Sequence, residues 1–138
     1  MFMAFLDGEF AWPDVYYERR MVFYFDILGW QAHIVEAKEN PQRIAALAGV
    51  LRLFSPPVFS GVERAEGVYM STFSDCVVVS LPYCSDQLIS SLEGFAAVLL
   101  GAAYLGFLVR GAATIGNLFH DGKIVFGPAL NRAYELES

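Results

Sequence analysis

The chain has 138 residues, of which 9 are basic and 15 acidic, for a net charge of −6; 56% are hydrophobic and only 17% charged. That length fits one domain, and the acidic balance, with no basic stripe, excludes a general nucleic-acid binder, so a phosphorylated ligand needs metal ions as counter-charge. A mean hydropathy of +0.44 is high for a small soluble domain and implies that part of the surface is buried against a partner.

Met1 to Phe10 is apolar but has no basic n-region and carries Asp7 and Glu9, so it does not read as a signal peptide. Residues 1–20 read as an N-terminal extension, in which Trp12, Tyr16 and Tyr17 cover a sheet or reach a partner. Met21 to Leu28 is rich in aromatic and branched residues and predicts a buried strand ending at Gly29. Trp30 to Glu39 predicts a short helix. Asn40-Pro41 then marks a helix start, with Ile44, Leu47, Leu51 and Phe54 at helical spacing. Ser55-Pro56-Pro57 closes that helix, and Ser60 to Gly67 is a polar connection.

Val68 to Thr72 and Cys76 to Leu81 predict a hairpin with Phe73-Ser74-Asp75 as its exposed turn. Ser85 or Asp86 is the expected cap of a long helix with Leu88, Leu92, Phe95 and Leu99 on one face. Phe107 to Ile115 predicts a strand, Asp121-Gly122 a turn, Lys123 to Phe126 a short strand, and Pro128 a last helix. The order matches an α+β, ferredoxin-like plan, an antiparallel sheet with helices on one face. The uncharged run Phe95 to Val109 is broken by Gly101 and Gly106 and falls short of the roughly 20 residues a membrane helix needs. No membrane insertion and a cytoplasmic location are therefore expected. Cys76 and Cys84 lack a paired-motif spacing, which fits a reducing compartment and no structural zinc. His33 and His120 have no third ligand nearby in sequence and read as surface or packing residues.

Two acids interrupt otherwise apolar strands: Asp26 in Phe-Tyr-Phe-Asp-Ile-Leu-Gly-Trp and Asp75 in Thr-Phe-Ser-Asp-Cys-Val-Val-Val-Ser. Taken alone, Asp26 can cap the next helix and Asp75 can be a turn residue. A ferredoxin-like sheet makes their strands neighbours, and paired carboxylates repel unless a cation lies between them. Oxygen donors of this kind suit magnesium or manganese. Gly29, in the strand-to-helix turn, offers free backbone N–H groups to a phosphate.

Asp26-Ile27-Leu28-Gly29-Trp30 and Phe73-Ser74-Asp75 resemble the two metal motifs of class III adenylate and guanylate cyclases. Arg110 to Gly116 is similar to the strand before that family's dimerisation hairpin, and Gly127-Pro128-Ala129-Leu130-Asn131 to the motif opening its catalytic helix. The resemblance covers Val22 to Ser138 and implies a cyclase-like catalytic domain over 21–138, short of the family's last strands. It implies two Mg2+ or Mn2+ ions held by Asp26 and Asp75 with the Ile27 carbonyl, and triphosphate contacts from the Gly29 and Trp30 backbone. It also implies a homodimer in which Asn131 acts on the nucleoside triphosphate at the partner's metal site. In such enzymes the ions activate the ribose 3′-hydroxyl for in-line attack on the α-phosphate, releasing pyrophosphate.

Glu135 stands where the family has a transition-state arginine, leaving Arg132 or Arg110 as substitutes; Arg132 lies about 100° round the helix from Asn131. The purine-reading positions hold Ser71 and Ile124, with Tyr69 a candidate stacking surface or simply a packing residue. These departures resemble the uridylate and cytidylate cyclases of bacterial Pycsar antiphage systems. That resemblance implies a lyase forming cUMP or cCMP from UTP or CTP, with a separate cyclic-nucleotide effector. A purine cyclase and a non-catalytic cyclase-like binding or dimerisation module are the alternatives.

Overall fold

A computed structural model describes residues 15–55 and 67–138. Trp12 and almost all of the expected 60–67 connection lie outside them. The strands are β1 (Glu18–Ile27), β2 (Tyr69–Phe73), β3 (Cys76–Pro82), β4 (Val109–His120) and β5 (Val125–Phe126). The helices are α1 (Trp30–Ala37), α2 (Pro41–Arg52), α3 (Leu88–Tyr104) and α4 (Pro128–Glu137). The sheet order is β2-β3-β1-β4-β5, with every pairing antiparallel. This is the ferredoxin-like arrangement the sequence implies, with β1 at its centre.

Alternation along β1 divides the core. Met21, Phe23, Phe25 and Ile27 face the side covered by α1, α2 and α3, where they meet Trp30, Val50, Phe54, Val98 and Phe107. Phe25 packs between Phe54 and Phe95, with ring centroids 4.7 and 5.0 Å away. Val22 and Tyr24 face the other side, where Val78, Ala112 and Leu118 meet Ala129 and Ala133 of α4. The expectation of helices on one face thus holds for α1 to α3, while α4 covers the opposite face. It does so because small Ala129 and Ala133, one turn apart, let the helix approach the sheet closely.

Several boundaries differ from the sequence reading. β1 starts at Glu18 and β4 runs on to His120 because Glu18, Arg19 and Arg20 pair with Leu118, Asn117 and Gly116. Neither Ser85 nor Asp86 caps α3: a short 3-10 turn, Ser85–Gln87, precedes it without a side-chain cap. Ser90 and Ser91 donate back to the Gln87 carbonyl instead. Ser91, Val98 and Ala102 form its buried side, whereas Leu92 is exposed. The 3-10 turn and α3 together make a helical stretch, Ser85–Tyr104, long and apolar enough to cross a membrane by length and composition. That stretch starts upstream of the short Phe95–Val109 run, and in this fold one side of it packs on the sheet.

Candidate metal and nucleotide site

Asp26 shares its strand parity with Val22 and Tyr24, so it belongs to the α4 face at the C-terminal end of β1. Its register partner on β3 is Cys76, and on β4 it is Arg110. The β2–β3 turn is Ser74-Asp75, tight enough to force Ser74 to φ 55°. The Ile27 N–H donates to the Asp75 carbonyl at 2.9 Å, which stitches the hairpin tip to the end of β1. Asp75 is consequently half-buried, not the fully exposed tip that the hairpin pattern suggests.

Donor atoms of Asp26, Asp75 and Cys76 all lie within 4.8 Å of one another. Two carboxylates this close repel, and a small divalent cation between them removes the repulsion, so the donor set fits Mg2+ or Mn2+. Around them runs a short polar chain. The Tyr24 hydroxyl donates to Cys76 Sγ at 3.0 Å, and the thiol lies 3.5 Å from Asp75 Oδ1. Burial pushes both groups up: the Tyr24 phenol well above its ordinary value, with the thiol, Glu137 and Asp26 adding to the effect. The Cys76 thiol is raised by burial and by Asp75. Both are therefore protonated donors at neutral pH.

Arg110 Nη2 donates to Asp26 Oδ2 at 2.9 Å, and its Nε lies 3.0 Å from Glu137 Oε1. The hydrogen bond to Asp26 and the charge of Glu137 raise the guanidinium pKa. Gly29 caps α1 in the left-handed conformation, φ 67°, and a Cβ there would meet nothing within 4 Å, so conformation requires the glycine and open space lies in front of it. The Trp30 side chain is buried, its ring 6.3 Å from that of Phe107. Only its backbone remains as a donor to a ligand.

Asn131 and Glu135, one turn apart on α4, line a cleft of about 550 Å³ with Tyr24, Phe73, Cys76 and Tyr134. Gly127 opens this helix at φ 148°, and a Cβ there would strike the Asn117 carbonyl at 2.8 Å, which fixes how α4 leaves the sheet. Arg132 is not among the cleft's lining residues. Its Nη1 lies 3.5 Å from Glu135 Oε2, both side chains being largely exposed.

Ser71, Tyr69 and Ile124 sit further along the sheet, around the β4–β5 hairpin. Ser71 is buried, its Oγ 2.8 Å from His120 Nε2, and His120 Nδ1 is 2.7 Å from Ser80 Oγ. Arg20, almost wholly buried, donates to Ser80 Oγ and to its carbonyl, and pairs with Glu18. Tyr69 lies over this network, its ring 5.6 Å from His120 and 5.1 Å from the Arg20 guanidinium. Ile124 is exposed. Sequence reasoning missed the network: His120 read as a surface or packing residue, and the signal available was Ser80, a polar residue within the Val and Leu run of β3. It also passed over Tyr24, Cys76 and Glu137 beside the aspartates.

No family model matches the sequence, and no curated protein matches it either. The fold, however, is that of solved class III cyclase-like proteins. An adenylate/guanylate cyclase/hydrolase from Silicibacter pomeroyi superposes with a TM-score of 0.60 at 17% identity, covering 90% of this chain and 72% of its own. A class III adenylyl cyclase-like ATP-binding protein from Pseudomonas aeruginosa gives 0.55 at 10% identity, covering 86% of this chain and 31% of its own.

Proposed function

We propose that this chain is the catalytic domain of a metal-dependent nucleotide cyclase, a phosphorus–oxygen lyase that forms a 3′,5′-cyclic monophosphate and pyrophosphate. The observation that carries the reading is the convergence of Asp26, Asp75 and Cys76 donor atoms within 4.8 Å on a cyclase-type fold. Asp26 and Asp75, with the Ile27 carbonyl, hold two Mg2+ or Mn2+ ions, which when bound activate the ribose 3′-hydroxyl and offset charge on the α-phosphate. The Gly29 and Trp30 N–H groups, at the start of α1, orient the triphosphate. Asn131 orients the ribose or the reacting phosphate. Arg110, held beside the site by its ion pair with Asp26, is a better source of positive charge than Arg132, which lies outside the cleft.

Within that reading the substrate is a pyrimidine nucleotide, UTP or CTP. Support comes from Ser71 and Ile124, which stand where the family reads a purine with Lys or Glu and with Asp or Cys. The resemblance to Pycsar cyclases further supports a cytoplasmic homodimer making cUMP or cCMP as an antiphage signal for a separate effector. Glu135, lining the cleft beside Asn131, favours a second reading: a cyclase-like module that binds nucleotide without turnover.

Incubating the purified chain with each of the four NTPs and Mn2+, with products identified by mass spectrometry, separates these readings. The expected result is cUMP or cCMP. Dominant cAMP or cGMP overturns the pyrimidine assignment, and metal-dependent nucleotide binding without any cyclic product establishes the binding module.

A further inference from the structure

Glu137 is the least accounted-for charge in the described structure. Its side chain is 4% exposed, and it sits in the last turn of α4 against Arg110 at the start of β4. Its Oε1 is buried and has no aligned hydrogen bond, although Arg110 Nε is 3.0 Å away. A carboxylate withdrawn this far from water is strongly unfavourable without a counter-charge. The same guanidinium that supplies it also donates through Nη2 to Asp26, 2.9 Å away. One half-exposed arginine is thus shared between a buried glutamate and an aspartate of the candidate metal site.

We propose that Glu137 is a positioning residue that anchors Arg110 beside the metal site, so that Asp26 exchanges the guanidinium for a divalent cation without Arg110 departing. The proposal rests on the metal reading of Asp26 and Asp75. Its logic is electrostatic. Asp26, Asp75 and Glu137 carry three negative charges against the single positive charge of Arg110, which leaves the charge that the first Mg2+ or Mn2+ to bind, before nucleotide, neutralises. Without the Glu137 charge, Arg110 pairs with Asp26 alone and neutralises it, leaving Asp75 as the only uncompensated carboxylate among the three remaining charges. The cation then has to displace a stronger ion pair at a less negative site. With Glu137 present, the guanidinium keeps its Nε anchor when Nη2 gives up Asp26, and a positive charge stays at the edge of the site.

Mn2+ affinity, read by electron paramagnetic resonance of the free ion on the full chain without nucleotide, tests this independently of turnover. Glu137→Gln is expected to weaken Mn2+ binding about ten-fold. Arg110→Met is expected to strengthen it, and in that background most of the Glu137→Gln effect disappears, because the competing ion pair no longer exists. Glu137→Asp keeps the charge and retains most of the affinity; it is also the variant that decides the matter, with Arg110→Met, if Glu137→Gln does not fold. Mn2+ affinity in Glu137→Gln equal to that of the wild type, or an equal loss with and without Arg110, overturns the proposal while leaving the metal site intact. In the event that Glu137→Gln does not fold, a ten-fold loss in Glu137→Asp, or no gain in Arg110→Met, overturns it. No Mn2+ binding by the wild-type chain overturns the metal reading itself, and the proposal with it.

Discussion

Asp75 is followed directly by Cys76, whose thiol lies 3.5 Å from the Asp75 carboxylate and accepts a hydrogen bond from Tyr24. A cation held by Asp26 and Asp75 therefore sits against this sulfur and obstructs its reaction. Adding Mn2+ or Mg2+ is expected to slow alkylation of Cys76 by iodoacetamide several-fold, while Cys84, a partly exposed free cysteine beyond the far end of β3, serves as an internal control. Peptide mass spectrometry reads both rates, and equal protection of the two would point to a global effect instead. Asp75→Asn should abolish the protection together with Mn2+ binding; protection that survives would remove Asp75 from the metal site. At this scale the sequence was legible where a residue type broke a pattern. An acid in an apolar strand is conspicuous, so Asp26 and Asp75 stood out. A single cysteine or tyrosine in such a strand is not, and Cys76 and Tyr24 gained meaning only from the β1–β3 register that pairs Asp26 with Cys76.

Between elements, the buried network of Arg20, Ser80, His120 and Ser71 ties β1, β3, β4 and β2 together across the face that α4 also covers. Burial, and then the neighbouring Arg20 charge, lower the His120 pKa to about 4 from an ordinary 6.5, with Asp121 opposing in part. The folded state thus favours the neutral ring. This contribution is complete above the unfolded pKa of 6.5 and is lost as pH falls from there through about 4, because the unfolded chain takes up the proton first. The loss amounts to as much as about 3 kcal/mol. Urea titrations between pH 7 and pH 4 should show it, and His120→Gln should flatten that slope while lowering stability at pH 7. A slope unchanged by the substitution would mean that carboxylates alone set the acid sensitivity. Element existence was readable from periodicity, and so was the β2–β3 hairpin. The ends of β1 and β4 were not: the apolar pattern stops at Ile115, and it is pairing with Arg20 and Arg19 that holds Gly116 and Asn117 extended. The α4 side was hidden for a similar reason, since Ala129 and Ala133 mark a close-packed face too weakly for hydrophobic periodicity to assign it.

For the whole molecule, the apolar composition finds its counterpart in residues left outside. Leu100, Tyr104 and Leu108 around the end of α3 and the start of β4 are exposed, as are Ile124 and Phe126 in the hairpin and Tyr134 and Leu136 on α4. Burying about 800 Å² per partner is typical of a stable pair, and a two-fold pair would present the same surfaces of both copies. The chain is accordingly expected to be a homodimer by light scattering, and the placement of Asn131 makes its role in that dimer testable. Within one chain Asn131 lines the same cleft as Cys76, so action on the metal site of its own chain and action on that of its partner predict different outcomes. Asp75→Asn and Asn131→Ala chains, each inactive alone, should recover activity when mixed and refolded together if Asn131 works across the interface. Random pairing makes half the dimers mixed, each with one intact site of two, and so restores about a quarter of the wild-type rate. If Asn131 serves its own chain, every site in every dimer carries one lesion and mixing restores nothing.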